Sequence, residues 1–194
     1  MEITISGKSI RYDVIGSGSP ILFVHGWGGD KEALRRLAQS LEDRHECYLI
    51  DLPGFGESEN PPLDWGVEGY ASAVRKFILE LNISPVGYVG HSFGGAVGVY
   101  LSATEKDLIG KLVLISASYR RPVTRAFKQL DISAVKRLLT PVRRLAYKIF
   151  YPGSVALKFA HLESNFRRIV STDLSDLLGQ IGSETLVLWP ADDI

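Results

Sequence analysis

Gly90-His91-Ser92-Phe93-Gly94 stands between an apolar run at 86–89 and a stretch of small and apolar residues at about 93–103 with helical character. A serine flanked by glycines in this way can occupy a sharp strand-to-helix turn, because neighbours with side chains would collide there. Such a turn lifts the Ser92 hydroxyl out of the sheet and sets it at a helix N-terminus, where developing negative charge is favoured. A glycine-rich turn without chemistry would share the spacing. The strand before it and the helix after it favour an activated serine, with Gly90 and Gly94 shaping the turn.

The same order of elements recurs along the chain. Residues 2–5 and 10–15 read as strands around the turn Ser6-Gly7-Lys8. Further strands are predicted at 21–24, 47–50, 86–89, 112–115 and 185–189. Asp30 can cap a helix whose inward positions are Ala33, Leu34, Leu37, Ala38 and Leu41. Val67, Tyr70, Ala71, Val74, Phe77, Ile78 and Leu81 mark the face of the next. Strand and helix in alternation imply an α/β fold, a mostly parallel sheet flanked by helices. Residues 119–181 break the rhythm and read as short helices punctuated by Pro122, Pro141 and Pro152-Gly153. They are expected to form a helical cap inserted into a core made of 1–118 and 182–194.

Apolar residues make up 45% of the chain, enough for a real core. Lys plus Arg equals Asp plus Glu at 22 each, which removes any general attraction to nucleic acid or an anionic membrane. Cys47 is the only cysteine, so no internal disulfide and no cysteine-based zinc site can form. The N-terminal residues lack a basic region followed by a long apolar one, and no run reaches the ~20 apolar residues of a membrane span. A cytoplasmic protein without a membrane span, nucleic-acid partner, metal or organic cofactor is expected; oligomeric state is not legible. The insertion is strongly basic, with Arg120, Arg121, Arg125, Lys128, Lys136, Arg137, Arg143, Arg144 and Lys148. Solvated helix faces explain that composition, and the sharper alternative is a preference for anionic acyl groups, or docking on acidic lipid or a carrier protein.

His25-Gly26-Trp27-Gly28-Gly29 follows the buried run at 21–24. A tetrahedral oxyanion needs two fixed N–H donors. The amides of Phe93 and Trp27 are the candidates, with Gly26 and Gly28 shaping the loop and His25 tying it down by hydrogen bonds. An ordinary glycine turn is the alternative.

Together with Asp51-Leu52-Pro53-Gly54-Phe55-Gly56-Glu57-Ser58 and Leu186-Val187-Leu188-Trp189, these motifs resemble the α/β-hydrolase superfamily over nearly the whole chain. They are most similar to small bacterial carboxylesterases and carbon–carbon bond hydrolases. The resemblance implies a serine hydrolase for a small-molecule ester or related acyl bond, with Ser92 as nucleophile. It carries the catalytic acid onto Asp193, with Asp192 the near alternative, in Trp189-Pro190-Ala191-Asp192-Asp193; Pro190 stands where the family commonly has glycine. It makes Asp51 structural. It also implies a histidine after the acid, plus one more strand and a last helix. The only histidines are His25, His45, His91 and His161, all before Asp193. The expectation is therefore a core lacking its last strand and helix, inactive or weakly active by itself, with the base beyond residue 194. A binding module on a hydrolase scaffold is the competing reading.

Overall fold

The computed structural model describes residues 1–119 and 158–191. Its described strands form one seven-stranded sheet in the order β1-β2-β4-β3-β5-β6-β7. These are β1 (Glu2–Ile5), β2 (Lys8–Gly16), β3 (Ser19–Val24), β4 (His45–Ile50), β5 (Val86–His91), β6 (Ile109–Ile115) and β7 (Glu184–Leu188). β1 and β2 are a hairpin, and β2 runs antiparallel to β4. Every later pairing is parallel. The α/β class and mostly parallel sheet expected from the sequence are both present.

Register decides where a site can form. Val24 lies opposite Ile50 on one side and Gly90 on the other, and His91 lies opposite Ile115. The carboxyl ends of β3, β4, β5 and β6 are therefore level. Loops leaving them emerge side by side at one end of the sheet, where open α/β sheets carry ligands.

Both faces of the sheet are covered at β3, β4 and β5. Leu22 and Val24 point into a large core with α2 (Val67–Glu80) and α3 (Phe93–Thr104), while Phe23, between them, points into a smaller one with Ala38, Cys47, Leu49 and Val89. This period-two alternation with both sides apolar is what a doubly covered strand requires. On α2, Val67, Tyr70, Ala71, Val74, Phe77 and Ile78 are buried, as their spacing predicts. Each large side chain so buried contributes about 1.5–3 kcal/mol.

The segment after Asp30 departs from expectation. Asp30 does cap it, accepting from the Glu32 amide at 3.0 Å, but the first turn is a 3-10 turn, Lys31–Leu34, followed by a five-residue α1, Arg35–Gln39. So short a helix meets the sheet through Ala38 with Leu34 and Leu41 half-buried, and Leu37 is left 38% exposed.

Between β6 and β7, 3-10 turns at Ala160–Leu162 and Ser175–Gln180 flank α4 (Glu163–Ser171). Phe159, Leu162, Ile169 and Leu174 join the main core. The buried Asn165 amide donates to the carbonyls of Pro62 at 2.8 Å and Trp65 at 3.1 Å. The basic residues Arg120 to Lys148 lie outside the described residues. β7 borders the sheet, and Leu186, Val187 and Leu188 are exposed. Among the described residues no helix is long and apolar enough to cross a membrane.

Candidate functional site

Ser92 occupies the turn between β5 and α3 with φ 49° and ψ −109°. A non-glycine residue held in that region costs about 1–3 kcal/mol and persists only where surroundings enforce it. Here the Ser92 amide donates to the Ile115 carbonyl at 2.9 Å, and its carbonyl accepts from Ala96 at 3.1 Å and Ser118 at 3.0 Å. Both strand ends and the helix thus clamp the main chain. The side chain remains half-buried, and its Oγ lies 3.3 Å from Ser118 Oγ. Gly94 is required for this approach: a Cβ there would run into the Val24 carbonyl oxygen.

The loop after β3 lies against the same turn. A Cβ on Gly26 would sit 3.1 Å from Ser92 Cβ and 2.9 Å from His91 Nδ1. Gly28 turns the loop with φ +79°. His25 is buried, and its Nε2 accepts from the Leu52 amide at 3.0 Å. Nδ1 therefore carries the proton and donates to the Gly26 carbonyl at 2.7 Å. Burial holds the His25 pKa below the ordinary histidine value, so the ring is neutral. The two ring bonds join the main chain at Gly26 to that at Leu52.

Trp27 and Phe93, the two residues whose amides the sequence pairs, are neighbours, with ring centroids 6.0 Å apart. Phe93 opens α3, where first-turn N–H groups have no intrahelical acceptor. Among the described residues neither amide donates to a protein group. Trp27 also packs on Phe55 at 5.0 Å and on Phe166 of α4 at 5.0 Å, so α4 rests directly on this loop.

Asp51, at the end of β4, is buried and accepts from the Lys31 amide at 2.6 Å and the Glu57 amide at 3.0 Å. Its carboxylate braces two loops. Ser118 and Asn165 are the residues that sequence reasoning passed over. Only the level ends of parallel β5 and β6 could have pointed to Ser118.

The family described as alpha/beta hydrolase fold matches residues 19–152. The chain belongs to the α/β-hydrolase family. A soluble epoxide hydrolase of Corynebacterium sp. (strain C12) is 31% identical over 114 residues, 59% of this chain and 40% of that protein. The (E)-2-((N-methylformamido)methylene)succinate hydrolase of Acinetobacter baylyi is 25% identical over 189 residues, 95% of this chain and 62% of that protein. The crystal structure of the enol-lactonase from Burkholderia xenovorans LB400 matches with a TM-score of 0.72 at 22% identity, covering 96% of this chain and 80% of that one. The chain thus spans less than two thirds of the length of these two curated relatives.

In this α/β hydrolase none of the four histidines is hydrogen-bonded to Ser92. His91 lies against Gly26. His45 sits at the start of β4, at the opposite end of the sheet, 3.3 Å from the Ser19 carbonyl. His161, in the turn before α4, is 6.3 Å from the Phe159 ring. Asp192 and Asp193 lie outside the described residues. Among the described residues no group of three or more His, Cys, Asp or Glu could hold a metal ion.

Proposed function

We propose that this chain carries the nucleophile and oxyanion-binding part of a serine hydrolase acting on an ester or related acyl bond of a small molecule. The observation that carries the reading is the strained Ser92 turn, with the first amide of α3 on one side and the Gly26-Trp27 loop against the other. Ser92 Oγ attacks the carbonyl carbon, and the amides of Trp27 and Phe93 receive the charge that develops on oxygen. A general base, oriented by Asp193, takes the serine proton and returns it to the leaving group. Water then cleaves the acyl-enzyme. Residues 119–181 serve as the cap over the site.

A serine nucleophile favours acyl substrates over epoxides for a chemical reason. Attack on a carbonyl leaves an ester, which water can cleave; attack on an epoxide carbon would leave an ether, which it cannot. The hydrolase named for the Acinetobacter relative supports hydrolytic chemistry. A carboxylesterase-like activity is the specific form proposed.

The test is release of p-nitrophenol from short-chain p-nitrophenyl esters, together with fluorophosphonate labelling of the Ser92 peptide, by the full chain and by Ser92→Ala. Loss of both in the variant supports the reading. Turnover that survives in Ser92→Ala sinks it. A second reading, a binding module on this scaffold, is favoured by the absence of a histidine at Ser92 among the described residues; it requires that Ser92 not react at all.

A further inference from the structure

Ser118 brings a second hydroxyl to the reacting oxygen. It stands three residues past the end of β6, and its Oγ is 3.3 Å from Ser92 Oγ. The main chain sets that distance: the Ser118 amide donates to the Ser92 carbonyl at 3.0 Å, and the adjoining Tyr119 carbonyl accepts from the Leu174 amide at 3.0 Å. Ser118 is exposed, so its hydroxyl could be satisfied by water and the contact is not a requirement of burial. It is also the one hydrogen-bond partner of the Ser92 hydroxyl among the described residues.

We propose that Ser118 is a further catalytic residue, donating its O–H to Ser92 Oγ. This rests on the reading of Ser92 as the nucleophile. The direction of the bond matters. With Ser118 as donor, a lone pair of Ser92 Oγ is engaged and the Ser92 proton stays free for a base. As the base draws that proton away, Oγ gains negative charge and the bond from Ser118 strengthens, because hydrogen bonds to charged acceptors are about twice as strong. The stabilisation is larger in the transition state than at rest, which is the condition for accelerating the step. It recurs when Oγ leaves the acyl-enzyme. Ser118 keeps its own proton throughout, and no bond forms or breaks on it. The reverse direction, Ser92 donating to Ser118, would instead occupy the proton the base must remove.

The experiment measures the second-order rate constant for phosphonylation of Ser92 by a fluorophosphonate, using the full chain, Ser118→Ala, Ser118→Thr and Ser92→Ala, with urea unfolding of each. The expected result is a fall of roughly five- to tenfold in Ser118→Ala, the size of one hydrogen bond, at an unchanged unfolding midpoint. Ser118→Thr keeps the hydroxyl and should stay within about twofold on the same reasoning. A Ser118→Ala rate equal to or above that of the unsubstituted chain overturns the proposal, as does an equal loss in both variants, which would indicate packing. Failure of the unsubstituted chain to react overturns this inference, and labelling that persists in Ser92→Ala overturns the nucleophile reading as well.

Discussion

His25 Nε2 accepts a hydrogen bond from the Leu52 amide at 3.0 Å, which joins the loop bearing Trp27 to the loop bearing Asp51. The bond fixes one tautomer and leaves the ring no room for a second proton without losing its partner. His25→Phe should remove both ring bonds and leave the Leu52 N–H and the Gly26 carbonyl unpaired. The expected cost is about 2–4 kcal/mol, read from urea unfolding at neutral pH.

The same bond sets a pH dependence. The folded pKa of His25 lies below 6.5, the value for an unperturbed ring. The unfolded chain therefore binds this proton first as pH falls. Stability is fully present above about pH 6.5 and is lost as pH drops toward the lower folded value. Urea midpoints measured between pH 7.5 and pH 5 check this. A flat response from His25 would show in identical slopes for the unsubstituted chain and His25→Phe.

Asp51 accepts two backbone amides with its two carboxylate oxygens. Asp51→Asn keeps one acceptor and turns an NH2 toward a backbone donor. About 1.5–3 kcal/mol should be lost, read from urea unfolding. If Asp51→Asn unfolds at the same urea concentration as the unsubstituted chain, the brace is unimportant.

Gly94→Ala tests the approach of α3 to β3. The added methyl would meet the Val24 carbonyl oxygen, and backbone cannot swing aside as a flexible side chain can. Overpacking of this kind costs about 1–3 kcal/mol. Thermal unfolding reads the loss, and fluorophosphonate labelling of Ser92 should slow with it.

Asn165 donates from α4 to two carbonyls of the loop before α2. Asn165→Ala strands both acceptors, at a cost of about 1–3 kcal/mol. Asn165→Asp should be worse, since it turns a carboxylate toward two carbonyl oxygens. Limited proteolysis should then cut the 158–181 segment sooner in both variants; equal cutting rates would refute an anchoring role.

Elements and local turns were legible because their causes are local. The Ser92 turn follows from glycines beside one serine, and the α2 face from apolar residues at helical spacing. The errors arose where the cause was distant. Leu37 fits a helical stripe by spacing, yet α1 is too short to bring it onto the sheet. Asn165 carries no signal in the sequence, since its partners Pro62 and Trp65 lie some hundred residues away.

The order of residues alone determined an alternating α/β chain, its nucleophile-like turn and its glycine-shaped loop after β3, because periodicity and backbone sterics act between near neighbours. Tertiary structure alone decided that β3, β5 and β6 end level. It also decided the tautomer of His25, the meeting of Trp27 with Phe166, and the 3.3 Å between the hydroxyls of Ser92 and Ser118. Those relations depend on strand register and on which faces pack together, and such contacts between distant segments leave no periodic trace along the chain.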